Sequence, residues 1–234
     1  LNQITIISNW STQELTKTKW WFFCYETCKF IKHTISKFLT LFHFLSHAFC
    51  NIIRGMINSN EFNWENIAIG AAKYDFIMAK FSKTDVSKDE EFQKRFTGFY
   101  RIRRSKELFL KKYYAYMESL KGKTVSFDDI IKKVYTFKGS IEPSFSSKML
   151  ATLNPDMPVW DQYVLANAKI DAPRPYNVTI DKCVETYRKV VNFYVNLLKT
   201  DTAEEMVRLF DSKLPKYKHF TRIKKIDLMF WQKR

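Results

Sequence analysis

Cysteine is scarce. Only Cys24, Cys28, Cys50 and Cys183 occur in 234 residues, which excludes a disulfide scaffold as the organising device and makes a reducing compartment the expectation. Cys24-x3-Cys28 has loose metal spacing but no second pair to complete a ligand set, so no metal and no cofactor are expected and the thiols are read as idle or buried. No apolar run reaches the roughly twenty residues that a membrane span requires. No segment alternates apolar and polar residues as a half-buried strand does, and neither an internal repeat nor a low-complexity linker is visible. Acid is in the minority: 24 Asp and Glu face 39 Lys and Arg, a formal net charge of +15. That excess suits a partner made of phosphates or an anionic membrane, and charge alone does not choose between them.

What is present can build a core, since 46% of the residues are hydrophobic and 17% aromatic. Residues 1–55 differ from the rest. Trp20-Trp21-Phe22-Phe23 and the run Phe38–Ile53 are strongly apolar, yet Lys29, Lys32, Lys37, His43 and His47 are scattered through the region. A signal peptide does not fit, because the apolar run lies far from the start and no small-residue cleavage site follows it. Two readings stay open: sequence upstream of a working protein that starts at Met56, or an interfacial, membrane-attaching helix within residues 20–53.

Residues 56–234 read as one all-α domain. Trp64, Ile67, Ala71, Tyr74, Ile77 and Phe81 recur at helical spacing behind a possible cap at Asn63. A polar break at Ser82–Asp89 is followed by a segment burying Phe92, Phe96 and Phe99, and then by the basic stretch Arg101, Arg103, Arg104 and Lys106. A helix through Leu108, Tyr113, Tyr114, Met117 and Leu120 is expected to stop at Gly122. Ser126-Phe-Asp-Asp129 has the form of a capping box and opens a helix with Ile130, Ile131, Val134 and Tyr135 on one face. Beyond the Pro-rich break at 171–175, Thr179–Lys199 reads as a long amphipathic helix, and a shorter one starts near Asp201. The tail alternates apolar residues with Lys216, Lys218, His219, Arg222, Lys224 and Lys225, a second cluster suited to tracking a phosphate backbone.

One stretch carries most of the functional reading. Phe137-Lys-Gly-Ser-Ile-Glu-Pro-Ser-Phe145 joins two helices through a tight glycine-containing turn, and Met157-Pro-Val-Trp-Asp-Gln-Tyr-Val164 runs from a proline loop into a third helix with Asp161 at its start. Together they resemble the helix-hairpin-helix DNA glycosylases that include endonuclease III and the adenine-mismatch glycosylases. The family pattern is L-P-G-V-G-x-K/Y-T-A, an apolar helix, then x-P-x-x-V-D and a new helix, and the spacing agrees without a gap. The close match covers about thirty-five residues, with the hairpin at 127–153 and the catalytic loop at 154–161. Lys138 stands where proline is usual, and Ile141 replaces the second hairpin glycine.

The resemblance implies a base-excision DNA N-glycosylase acting on double-stranded DNA with a flipped nucleotide, as a monomer in the cytoplasm or nucleoid. Its catalytic aspartate falls on Asp161. Breaking a base–sugar bond builds positive charge on the sugar, which a fixed carboxylate stabilises while it orients water. The residue of the family's backbone-cutting members that attacks the sugar as an amine falls on Pro143, which implies a monofunctional enzyme. Endonuclease III also carries a four-cysteine iron–sulfur cluster, and Cys183 alone cannot supply one. Trp160 and Tyr163 flank Asp161 as candidate walls of a base pocket. Lys138, Gly139, Ser140, Lys148, Arg101, Arg103 and Arg104 are the candidate DNA contacts. Each has a plainer alternative: Asp161 as a helix cap, the aromatics as core and the cations as solvated faces. A non-catalytic helix-hairpin-helix DNA-binding protein and a membrane-attached protein using residues 20–53 are the rival functions.

Overall fold

The structure, a computed structural model, describes residues 62–102 and 106–231. These lie in the unit Ile53–Arg234. The expectations for residues 1–55, for Arg103 and Arg104, and for Cys24, Cys28 and Cys50 fall outside the described residues. Among the described residues there are α-helices and short 3-10 turns but no strand, as the absence of alternating sequence predicts. No helix among them is long and apolar enough to cross a membrane.

In chain order the helices are α1 (Trp64–Lys83), α2 (Glu90–Phe99), α3 (Glu107–Ser119), α4 (Phe127–Lys138), α5 (Pro143–Leu153), α6 (Gln162–Ala168), α7 (Ile180–Leu197), α8 (Asp201–Lys213) and α9 (Arg222–Phe230). Local chemistry explains most of the starts. Asn63, Asp89, Ser126, Asp161, Thr179, Thr200 and Thr221 each accept a backbone N–H from the first turn that follows, which satisfies a donor that the helix itself cannot. At Ser126 the reciprocal bond from Asp129 completes the capping box.

α3 departs from the expected helix at its end and in the residue buried at its start. α3 ends at Ser119 with Leu120 as its cap, and Gly122, at φ +72°, serves the turn beyond rather than the helix end. Leu108 is 66% exposed, and Phe109 is the residue that α3 buries at its start. Tyr113, Tyr114 and Met117 are buried as the spacing predicts, so the departure is confined to the first turn.

Aromatic rings dominate the interior. Phe92, Phe96, Tyr113 and Tyr114 are almost wholly buried, with Phe92 and Phe96 each meeting Tyr114 edge-on. Each such side chain contributes on the order of 1.5–3 kcal/mol by leaving water. α4 and α5 pack against each other, α4 also contacts α3 and α7, and α9 contacts α1, α6 and α8.

The tail contradicts one reading of charge. Lys224 and Lys225 are 0% and 4% exposed and cannot track a phosphate backbone. Both Lys224 Nζ, at 3.0 Å, and Tyr194 Oη donate to the Asp227 carboxylate. Lys225 Nζ reaches Asp211 at 2.7 Å. Burial opposes the Lys224 charge, but Asp227 overcomes it and holds Lys224 protonated. A buried cation persists only where it is paired in this way.

Candidate functional site

The site begins with the turn between α4 and α5. Gly139 caps α4 at φ +72° and ψ 7°, its N–H donating to Tyr135 O at 2.8 Å. An added Cβ there would meet nothing within 4 Å, so the glycine answers a backbone need and its crest is open. Ser140 and Ile141 carry the chain to Glu142, and Pro143 occupies the first turn of α5, where its missing N–H costs nothing. The two helices are thus joined by a short turn and pack against each other. Tyr113 Oη, buried on α3, donates to Phe145 O at 2.9 Å and fixes the start of α5.

The loop from α5 to α6 is pinned at three points. Tyr187 Oη donates to Pro158 O at 2.8 Å, Thr221 Oγ1 to Pro155 O at 2.9 Å, and the Trp160 N–H to the fully buried Ser147 Oγ at 2.8 Å. Such bonds offset the backbone entropy of ordering a loop. They deliver Asp161 at φ −132° as the N-cap of α6, with Oδ1 accepting the Tyr163 N–H at 2.9 Å.

Asp161 is therefore a cap, and it is also electrostatically unusual. Burial pushes its pKa above the ordinary aspartate value; the Tyr163 N–H and the charges of Lys148 and Arg101 pull the other way, while Asp227 adds to the rise. Lys148 on α5 is the complement. Burial pulls its pKa below the ordinary lysine value, against the favourable charges of Asp161 and Glu142. Its Nζ lies 5.9 Å from the Tyr100 ring centre and 6.0 Å from that of Phe145. A simple cap needs neither neighbour.

Arg101 arrives in a strained backbone. It follows the end of α2 at φ +51°, one of two non-glycine residues with positive φ among those described. Its N–H donates to Gly98 O at 3.4 Å, and the next N–H, of Ile102, to Thr97 O at 2.9 Å. This is the helix ending that normally takes glycine.

Thus Asp161, Lys148 and Arg101 share one electrostatic neighbourhood, while Lys138 and Ser140 lie together on the hairpin. The aromatic expectations divide. Tyr163 is half-buried beside Asp161, whereas Trp160 is 7% exposed and lies parallel to Phe127, centroids 6.5 Å apart, in the core. A concavity of about 460 Å³ opens elsewhere, walled by Phe127, Leu150, Asn154, Met157, Tyr187 and Val191 among others, and Asp161 is not in its wall. No group of side chains suited to a metal ion occurs among the described residues, and Cys183 is a buried free thiol. Sequence reasoning missed the half-burial of Lys148, the strain at Arg101 and the proximity of Glu142. Positive φ at a non-glycine residue leaves no sequence signal. Compared with protein-family models, curated proteins and solved structures, the chain has no significant match.

Proposed function

We propose that the described domain is a helix-hairpin-helix DNA glycosylase-type module that hydrolyses the base–sugar bond of a flipped nucleotide. What carries the reading is a register: α4, the Gly139 turn, α5, a pinned proline loop, and then a half-buried aspartate with two cations in its field. Oδ1 of Asp161 is committed to the cap, so Oδ2 would face the sugar. As the base leaves with the bonding electrons, positive charge grows on the sugar and the carboxylate stabilises it; water adds its oxygen at the same carbon, and its proton passes by way of the carboxylate or solvent to the departed base. Arg101, Lys138 and Lys148 would neutralise phosphates of the bent strand. Pro143 at the first turn of α5 leaves no amine where lyase chemistry would place one, which supports the monofunctional form.

Two observations favour the rival, a non-catalytic DNA-binding protein. Ile141 replaces a hairpin glycine, and Trp160 is in the core rather than lining a base pocket. The test is base release from duplexes carrying oxidised, alkylated, mismatched or modified bases, scored as abasic sites. Release from any of them supports the enzyme, and duplex binding without release supports the rival. Covalent trapping by borohydride would reassign the nucleophile to an amine, with Lys148 the first to replace.

A further inference from the structure

The Glu142 carboxylate closes the turn between α4 and α5. Its Oε1 accepts from Lys138 Nζ at 2.6 Å and from Ser140 Oγ at 2.9 Å. The Lys138 and Glu142 side chains are only 27% and 21% exposed. The Lys138 ammonium also lies 4.7 Å from the Phe145 ring centre and 5.2 Å from that of Phe109, so it is held on the hairpin rather than free to swing. Glu142 is the residue before α5, yet its side chain makes no capping bond to that helix. It turns back across the turn instead, leaving the first amides of α5 uncapped by it and the space over Gly139 open.

Lys138, Ser140 and a helix start are the donors that a phosphate diester takes, and here a carboxylate holds two of them. We propose that the Glu142 carboxylate is an internal stand-in for a DNA backbone phosphate: it closes the hairpin in the free protein and is displaced when the hairpin grips duplex DNA. The inference rests on the DNA-binding reading above. It makes hairpin engagement a competition, so that contacts elsewhere on the duplex must already favour binding before Lys138 and Ser140 change partners.

The experiment measures duplex affinity at low and moderate salt for the full chain and for Glu142→Gln, Lys138→Ala and the double variant, with Glu142→Ala as a second way of removing the charge. Circular dichroism checks that each is folded. Removal of the carboxylate is expected to tighten binding several-fold. Lys138→Ala is expected to cost little in the wild-type background and about tenfold when Glu142 is already Gln, a coupling of the size found for residues in direct contact. If the wild type binds duplex while both Glu142 variants bind no tighter and Lys138→Ala costs the same in both backgrounds, the latch is overturned and the DNA reading stands. If no variant binds duplex, both fail. Binding seen only after Glu142 is replaced supports the latch.

Discussion

Arg101 offers a perturbation in which stability and function should move in opposite directions. Its backbone sits at φ +51°, a conformation that costs an L-residue about 1–2 kcal/mol. Replacing it with glycine removes that cost, while glycine's greater freedom in the unfolded chain takes back about 0.5–1 kcal/mol. The net expectation for Arg101→Gly is about 0.5–1 kcal/mol of added stability. A domain of this size gains roughly 2–4 °C in Tm per kcal/mol, so the rise is about 1–4 °C. Lys169, at φ 53° after α6, is the matched control and should gain a similar amount on replacement by glycine. Thermal unfolding measures both. Duplex titration across a salt series then separates them: Arg101→Gly is expected to lose one phosphate contact, flattening the slope of log K against log salt by about 0.9, whereas Lys169→Gly leaves it unchanged. A destabilised Arg101→Gly would refute the strain argument. A stabilised variant with unaltered DNA binding would remove Arg101 from the interface.

The buried network makes a larger prediction. Asp227→Asn leaves the Lys224 ammonium in the core without a counter-charge, at a cost of about 3–5 kcal/mol or about 6–20 °C in Tm, whereas the double change Lys224→Met, Asp227→Leu is expected to recover most of it. Denaturant titration decides, and a single variant within about 1 kcal/mol of wild type would mean that the Lys224 charge does not depend on Asp227 for its place in the core. Lys148→Met removes a cation that favours ionised Asp161, so the acid limb of base release should move to higher pH, and an unmoved limb would disconnect the two residues.

How much of this was legible depended on range. Starts at Asn63, Ser126 and Thr179 and the glycine turn at Gly139 follow from residues within one turn of each other, and the sequence rules for caps and glycine turns read them directly. Asp161 as the first residue before a helix belongs to the same class. Lys224 and Lys225 did not, because composition reads a lysine as solvated; Asp227 lies one turn along the same helix as Lys224, but the burial of that pair and the approach of Asp211 to Lys225 come from the folded chain. Trp160 failed for the converse reason: adjacency to Asp161 along the chain says nothing about direction, and the peptide bonded to Ser147 leaves the indole beside Phe127. Gly139 announced a turn, but the Glu142 carboxylate folding back on Lys138 is a choice among rotamers that no short-range rule makes.

The central claim concerns one carboxylate. Because burial raises the Asp161 pKa, the ionised group weighs against folding: its contribution is favourable below the unfolded pKa and is lost as pH rises through the higher folded value. Asp161→Asn, which can still cap α6, is therefore expected to be at least as stable as wild type at neutral pH, with the difference vanishing in acid. That makes it a clean probe of chemistry. The deciding measurement is single-turnover base release by Asp161→Asn and wild type on a duplex that wild type processes, with affinity for the same duplex measured alongside. A loss of about 10²-fold or more with binding retained, the scale expected when one preorganised electrostatic group is removed, is the predicted result; equal release by the two proteins would contradict the account.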